Sequence, residues 1–168
     1  MPRAGLALGS NLGVRLANLQ AALACLRRLA RPGAELLQAP IYQTAPWHCP
    51  PGSPDFYNTV VELDYDGTPD ALLRHTQAIE FELGRPGGAA RHAPRLIDVD
   101  LLYVDQVTVH AGRLRLPHPR LTQRRFVLQP LADIRPDLML PGDHASIAEH
   151  LAKLRSDEPA LTLVRIDW

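Results

Sequence analysis

The stretch "PRLIDVDLLYVD", residues 94–105, decides the fold of this chain. Most of its residues are apolar, which is typical of a buried strand, but acids interrupt the run. Because side chains alternate across a strand, Ile97 and every second residue after it face one side, whereas Asp98 and Asp100 face the other. The rise per residue separates these two carboxylates by roughly 7 Å along the strand.

A pair of acids on one strand face has two explanations. Like charges repel each other, and a cation beside them removes the repulsion. Mg²⁺ prefers carboxylate, water and phosphate oxygens, so Asp98 and Asp100 are candidate ligands for one or two magnesium ions. The alternative is that both side chains face solvent at the edge of an antiparallel sheet, where polar residues are common. The spacing alone leaves both interpretations open.

Basic residues precede the acids in the chain. Arg95 lies three residues before Asp98, and Arg85, Arg91 and His92 lie in the glycine- and alanine-rich loop upstream. Positive charge beside a metal ion held by carboxylates attracts a polyphosphate and neutralises its charge. The planar guanidinium group of arginine also binds two phosphate oxygens at once. The alternative is a solvated basic loop without a ligand.

Elements on both sides of this stretch follow from hydrophobic periodicity and from cap and turn residues. We expect strands at residues 4–10, 35–44 and 56–65, shorter strands at 107–110, 113–117 and 161–166, and an irregularity at Pro40. We expect one helix within residues 11–29 and a second that begins after the N-cap Thr68 and ends at Gly84. We expect a third helix within residues 124–134, broken at Pro130. The capping box of Ser146 and Glu149 predicts a last helix that runs to about residue 154. The order β-α-β-β-α-β predicts a ferredoxin-like split βαβ sandwich, an α+β fold with helices on one face of an antiparallel sheet.

Length and composition restrict the class of protein. The 168 residues fit a single domain, residues 1–168, and 46% hydrophobic residues suffice for one core. Eighteen basic residues balance eighteen acidic ones, which argues against nucleic-acid or membrane-surface binding through bulk charge. Without a membrane-spanning run or a signal-peptide pattern, we expect a cytoplasmic protein. Cys25 and Cys49 form neither a disulfide framework nor a zinc motif.

Five stretches, read together, indicate a family. They are "GSNLG", "DFYN", "HTQAIEFELGR", "PRLIDVDLL" and "LPHPRLTQRRFVLQPL", in this order along the chain. Over about residues 4 to 140 the chain resembles the 6-hydroxymethyl-7,8-dihydropterin pyrophosphokinases of folate synthesis. The resemblance implies transfer of pyrophosphate from ATP to the hydroxymethyl group of the pterin, release of AMP, assistance by two Mg²⁺ ions and a ferredoxin-like fold. We also expect a monomer.

The resemblance also implies roles for individual residues. Asp98 and Asp100 match the acids that hold both metal ions, and with Arg85 and Arg95 they form the expected catalytic set. The expected ATP-binding residues are Gln77, Glu80, Arg85, His92, Arg95, Arg113, His118 and Arg124. The expected pterin-binding residues are Thr44, Ala45, Trp47, Phe56, Asn58 and Phe126, with the two phenylalanine rings stacking on the pterin. His92 stands where many relatives carry tryptophan.

Other interpretations of the same residues stay open at this stage. Phe56 and Phe126 could belong to the core, Asn58 could cap a turn or strand end, and His118 could be an ordinary buried histidine. A metal-dependent nucleotide hydrolase would use the same acids with water in place of the pterin. A non-catalytic ferredoxin-like binding module would leave the aspartates as surface groups.

Overall fold

The computed structural model describes residues 2–84 and 96–168, so the predictions for Arg85, His92 and Arg95 lie outside the described residues. The strands are β1 (Arg3–Ser10), β2 (Leu37–Gln38), β3 (Ile41–Thr44), β4 (Phe56–Asp64), β5 (Asp98–Val104), β6 (Val109–Ala111), β7 (Leu114–Leu116) and β8 (Thr162–Arg165). The helices are α1 (Arg15–Leu29), α2 (Pro69–Glu82), α3 (Arg125–Ile134) and α4 (Ile147–Lys153), with a 3-10 turn at Leu121–Gln123. No helix within the described ranges is long and apolar enough to cross a membrane.

The main sheet has the strand order β5–β1–β4–β3–β8, and all of these neighbours pair antiparallel. The short strand β2 also pairs with β4, and β6 and β7 form a separate hairpin. α1 connects β1 to the β2–β3 segment and α2 connects β4 to β5, so each helix passes over one intervening strand. This arrangement confirms the predicted ferredoxin-like α+β fold.

Helices cover both faces of the sheet, so the prediction of helices on one face only is wrong. The first core joins α1 and α2 to one face and includes Leu6, Leu8, Leu19, Leu26, Leu72, Ile97, Val99 and Leu101. The second core joins α3 and α4 to the other face and includes Val60, Leu102, Tyr103, Leu128, Leu131 and Ile147. α3 carries its own apolar stripe, which requires a second apolar surface to bury it.

Local signals set several element boundaries as predicted. The Thr68 hydroxyl accepts a hydrogen bond from the Ala71 N–H at 3.2 Å and caps α2, which starts with Pro69. Ser146 and Glu149 form the predicted capping box at the start of α4. The predicted strand 35–44 is interrupted near Pro40, where β2 ends and β3 begins.

The predicted break at Pro130 is wrong, because α3 continues through that residue from Arg125 to Ile134. Proline removes one backbone hydrogen bond from a helix interior. Pro130 is itself buried, between Leu128 and Leu131 of the second core. Apolar burial by α3 therefore offsets the missing hydrogen bond.

A buried ionic cluster ties the end of α3 to the sheet. Glu62 on β4 has no exposed side-chain area and contacts Arg3 Nε at 2.5 Å and Arg135 Nε at 3.5 Å. The Tyr103 hydroxyl donates to the same carboxylate at 2.5 Å. Burial, followed by the charge of Glu62 and this hydrogen bond, raises the pKa of Tyr103 far above its ordinary value. The cluster holds β1, β4, β5 and the residue after α3 together.

Candidate active site

A cleft of about 570 Å³ opens on the second face of the sheet, at the end where β5 begins. Its wall combines residues from the sheet, α3, the loop after β3 and the chain after α4. The predicted site residues that line it are Thr44, Ala45, Trp47, Phe56, Asn58, Asp98, Asp100, His118, Arg124 and Phe126. The tertiary structure therefore brings together both predicted metal ligands and all of the predicted pterin-binding residues.

Strand register explains why the two aspartates share a face with the predicted pterin residues. Gly9 on β1 pairs with Asp98 on one side and with Asn58 on the other. Residues opposite one another in antiparallel strands point to the same face, so Asp98 and Asn58 flank Gly9 in one row. Ala7 pairs with Asp100 in the same way, and both aspartates are half-buried in the cleft wall.

The buried amide of Asn58 and the buried hydroxyl of Thr44 form a polar part of the cleft wall. Asn58 Nδ2 donates to Thr44 Oγ1 at 2.9 Å, and both side chains are buried. This contact leaves the hydroxyl hydrogen of Thr44 as a donor and the amide oxygen of Asn58 as an acceptor. A donor and an acceptor side by side suit the edge of a flat heterocycle that carries both kinds of group.

The two predicted stacking residues differ in how they are held. Phe126, at the start of α3, packs against the second core and also lines the cleft. Phe56, at the start of β4, is half-buried in the cleft wall. Both rings therefore contribute apolar surface to the cleft, and Phe126 serves the core as well.

A cationic group also lines this cleft. Arg124 has its guanidinium carbon 5.5 Å from the centre of the Phe126 ring. Burial and the charge of Arg120 lower the pKa of Arg124, while Asp100, Asp98 and Glu158 oppose that shift. Arginine stays protonated in proteins regardless. A permanent positive charge therefore lines the same cleft as both aspartates.

His118 is a neutral hydrogen-bond donor in this cleft. Burial, followed by the charges of Arg124 and Arg120, lowers the pKa of His118 to about 4, and Asp98 opposes the shift. Its Nδ1 accepts the Arg120 backbone N–H at 3.1 Å, so the ring hydrogen lies on Nε2 at neutral pH. Its own backbone N–H donates to Leu102 O at 2.7 Å, which fixes the residue beside β5.

Three predicted nucleotide residues in the described ranges lie away from the cleft wall. Glu80 is buried on α2, and its Oε1 accepts the Val99 N–H at 2.8 Å. This bond supports β5, an edge strand of the sheet. Gln77 is exposed on α2, and Arg113 is exposed in the turn between β6 and β7. Their contact with a nucleotide stays a prediction.

The donor chemistry of the cleft fits a hard divalent cation. Within residues 2–84 and 96–168, no group of three or more His, Cys, Asp or Glu side chains forms a metal site. Mg²⁺, however, usually takes one or two protein carboxylates and completes its shell with water and phosphate oxygens. Asp98 and Asp100 supply such a pair of carboxylates.

Sequence reasoning missed several cleft residues. Arg120 and Gln123 lie within the quoted stretch before α3, so their position in that motif could have indicated them. Glu158, Pro159 and Leu161 come from the chain after α4, which carried no recognised motif. Only the path of the folded chain places that segment at the cleft.

Comparison with known proteins finds one matching family. Residues 5–136 match the model of the family described as 7,8-dihydro-6-hydroxymethylpterin-pyrophosphokinase (HPPK). The chain is 41% identical over 158 residues to a 2-amino-4-hydroxy-6-hydroxymethyldihydropteridine pyrophosphokinase of Methylorubrum extorquens, covering 92% of this chain and 94% of that protein. A protein of the same name from Pseudomonas aeruginosa is 42% identical over 144 residues, covering 84% and 86%.

Longer proteins also contain a region similar to this chain. The folic acid synthesis protein fol1 of Schizosaccharomyces pombe is 36% identical over 152 residues, which cover 90% of this chain but 20% of that protein. The crystal structure of Plasmodium falciparum HPPK-DHPS with SDX-DHP aligns at a TM-score of 0.71 and 14% identity, covering 90% of this chain and 44% of that one. At that identity, the structural likeness shows the fold alone.

Proposed function

The chain belongs to the 7,8-dihydro-6-hydroxymethylpterin-pyrophosphokinase family, and we propose how its cleft carries out the family's reaction. The protein is an enzyme of folate synthesis that transfers pyrophosphate from ATP to the hydroxymethyl group of 6-hydroxymethyl-7,8-dihydropterin. One observation carries the mechanism: β1 places Asp98 and Asn58 on either side of Gly9, at the floor of a single cleft. Phosphate chemistry and pterin recognition then take place side by side.

Asp98 and Asp100 hold magnesium in this proposal. Mg²⁺ bound there would neutralise polyphosphate charge and orient the phosphates for in-line displacement. Support comes from the position of both carboxylates in the cleft wall and from the oxygen ligands they provide. The family resemblance implies two Mg²⁺ ions. Because Asp98 and Asp100 supply only two carboxylates, phosphate and water oxygens would complete the coordination of both ions.

The cationic side of the cleft binds the ATP phosphates. Arg124 supplies a permanent charge with a planar donor fork, and His118 supplies a neutral Nε2–H donor. A neutral donor stabilises a phosphate oxygen without adding to the repulsion between Arg120 and Arg124. We also expect contributions from Gln77, Glu80, Arg85, His92, Arg95 and Arg113, as the family resemblance implies.

The pterin binds between the aromatic walls. The rings of Phe56 and Phe126 stack on it, Asn58 and Thr44 bind its polar edge, and Ala45 and Trp47 border it from the loop after β3. Residues 56 and 58 lie on the same face of β4, so one strand holds both a ring and the edge-reading amide. Rigid strands give these groups a fixed spacing.

The chemical step is a displacement at the β-phosphorus of ATP. The hydroxymethyl oxygen forms a bond to that phosphorus, and the bond to the oxygen that bridges the α- and β-phosphates breaks. AMP leaves with the electron pair, and the hydroxyl proton is released. The protein contributes mainly by positioning the two substrates and by compensating charge, so the step requires no covalent enzyme intermediate.

An assay of nucleotide products tests this proposal. Protein, ATP, Mg²⁺ and 6-hydroxymethyl-7,8-dihydropterin are expected to yield AMP and the pterin diphosphate in equal amounts, and chelation of Mg²⁺ is expected to stop the reaction. ADP and a monophosphorylated pterin would contradict attack at the β-phosphorus. AMP formed without pterin would favour a nucleotide hydrolase instead. If ATP does not bind in the presence of Mg²⁺, a non-catalytic binding module is favoured.

The state of the protein in the cell belongs to the same proposal. We propose a monomer in the cytoplasm, built as one domain over residues 1–168. The single domain is supported by the coverage of the two bacterial relatives, which match this chain over 94% and 86% of their own length. Gel filtration with light scattering measures the oligomeric state directly.

A further inference from the structure

The segment between α4 and β8 forms part of the cleft wall, and we call residues 155–161 the C-terminal strap. Glu158, Pro159 and Leu161 of the strap line the cleft together with Arg124 and Phe126. Both ends of the strap are held. β8 pairs with β3, where Thr162 lies opposite Gln43, and the Arg125 guanidinium donates to Leu154 O at 3.3 Å before the strap begins.

Glu158 caps α3 from a distant part of the chain. Its Oε2 accepts the backbone N–H of Arg125, the first residue of α3, at 2.5 Å and across 33 residues of sequence. The N-cap residue of this helix, Arg124, makes no side-chain capping bond of its own. A carboxylate at a helix N-terminus is favoured both by the free N–H groups and by the helix dipole.

The same carboxylate also attracts the positive charge of Arg124. Arg120 disfavours the charged form of the Arg124 guanidinium, whereas Asp98, Asp100 and Glu158 favour that form. Burial raises the pKa of Glu158 from its ordinary value, while the Arg125 N–H and the charges of Arg125 and Arg124 oppose that shift. Glu158 Oε1 is buried and accepts no hydrogen bond from the described part of the chain, which is unfavourable for stability alone.

We propose that Glu158 is a positioning residue of the active site, which fixes the start of α3 so that Arg124 meets the ATP phosphates and Phe126 meets the pterin. This inference deepens the proposed function and rests on its assignment of those two residues. Glu158 touches neither substrate in this account. It acts through one backbone hydrogen bond at Arg125 and through its charge beside Arg124.

Two substitutions separate the hydrogen bond from the charge. Glu158→Gln keeps an acceptor for the Arg125 N–H but removes the charge, so we expect the KM for ATP to rise about fivefold while the KM for pterin stays within about twofold. Glu158→Ala removes both, so we expect both KM values to rise about tenfold. Asp157→Asn is the matched control, because it removes one charge from an exposed strap residue that lies outside the cleft wall.

Initial rates are measured per folded protein, with the melting temperature of each variant determined in parallel. Three results would overturn the proposal. In the first, both KM values of Glu158→Ala lie within twofold of wild type. In the second, the KM values of Asp157→Asn rise as much as those of Glu158→Ala, and in the third, Glu158→Gln binds ATP as tightly as wild type. The last result would mean that the charge of Glu158 does not contribute to ATP binding. If Glu158→Ala fails to fold, Glu158→Gln still decides the ATP prediction. Because all variants are compared with an active wild type, this inference can fail while the proposed function stands.

Discussion

Gly9 and Asn58 lie opposite each other on neighbouring strands, so close that a Cβ atom on Gly9 would lie 2.9 Å from Asn58 Oδ1. The same atom would lie 3.8 Å from Phe56 Cδ1 and 3.9 Å from Asp98 Cβ. The bare backbone of Gly9 is thus the floor on which the proposed metal-binding and pterin-binding groups meet. A glycine is needed here for space, and its backbone conformation is ordinary strand.

We therefore expect Gly9→Ala to impair pterin binding. The added methyl group forces Asn58 away from Thr44, so the KM for pterin should rise about tenfold with a smaller effect on ATP. Gly5→Ala on the same strand is the control, because its Cβ would clash with the Tyr103 ring instead. Gly5→Ala should lower the melting temperature and leave the KM of the folded protein unchanged. Equal pterin KM values for Gly9→Ala and wild type would contradict this assignment.

Removal of either aspartate should abolish turnover. Asp98→Asn and Asp100→Asn keep the side-chain size and remove the charge that would hold Mg²⁺, so we expect kcat to fall by about 100-fold or more with little change in melting temperature. Isothermal titration with ATP, with and without Mg²⁺, measures the loss of metal-dependent nucleotide binding. Asp66→Asn, an exposed change in the turn before α2, is the control. A wild-type rate in either site variant would refute the magnesium assignment.

His118 should make the protein less stable as the pH falls. Its pKa in the folded state is about 4, below the ordinary value of 6.5, so the unfolded chain binds the proton first. The stabilising contribution of neutral His118 is therefore complete above about pH 6.5 and is lost progressively as the pH falls towards 4.

Urea unfolding at several pH values checks this dependence. His118→Asn should lose less stability than wild type between pH 6.5 and 4, because the substituted residue binds no proton in either state. His110→Asn, at an exposed position in β6, should follow the wild-type curve. Parallel curves for wild type and His118→Asn would show that His118 titrates normally in the folded protein.

The ionic cluster around Glu62 should support stability rather than chemistry. Glu62→Gln removes the buried carboxylate that Arg3 and Arg135 share, while Arg3 keeps its contact with Asp64 at 3.3 Å, so we expect a loss of about 1–3 kcal/mol in the free energy of unfolding. Tyr103→Phe removes one buried hydrogen bond and should cost about 1–2 kcal/mol. Chemical denaturation measures both, and KM values at 25 °C should stay near wild type. A large rise in KM for Tyr103→Phe would instead link this cluster to the cleft.

Local sequence signals were sufficient where an interaction involves near neighbours in the chain. The alternation in β5 correctly put Leu101 and Leu102 on opposite faces of the strand and placed Asp98 and Asp100 on one face. The caps at Thr68 and Ser146 were also predictable, since a cap residue and its partner lie within one helical turn. Pro130 was misjudged because the burial that keeps α3 intact comes from distant strands.

The sequence by itself determined the element order, the paired acids of β5 and, through motif resemblance, the chemistry to expect. Only the tertiary structure decided that Gly9 joins Asp98 to Asn58 across three strands, that α3 and α4 cover the second face, and that Glu158 reaches back to Arg125. The physical reason is how far apart along the chain the interacting residues lie. Caps and side-chain alternation act within a few residues, whereas strand register, core closure and the path of the strap depend on contacts between segments far apart in the chain.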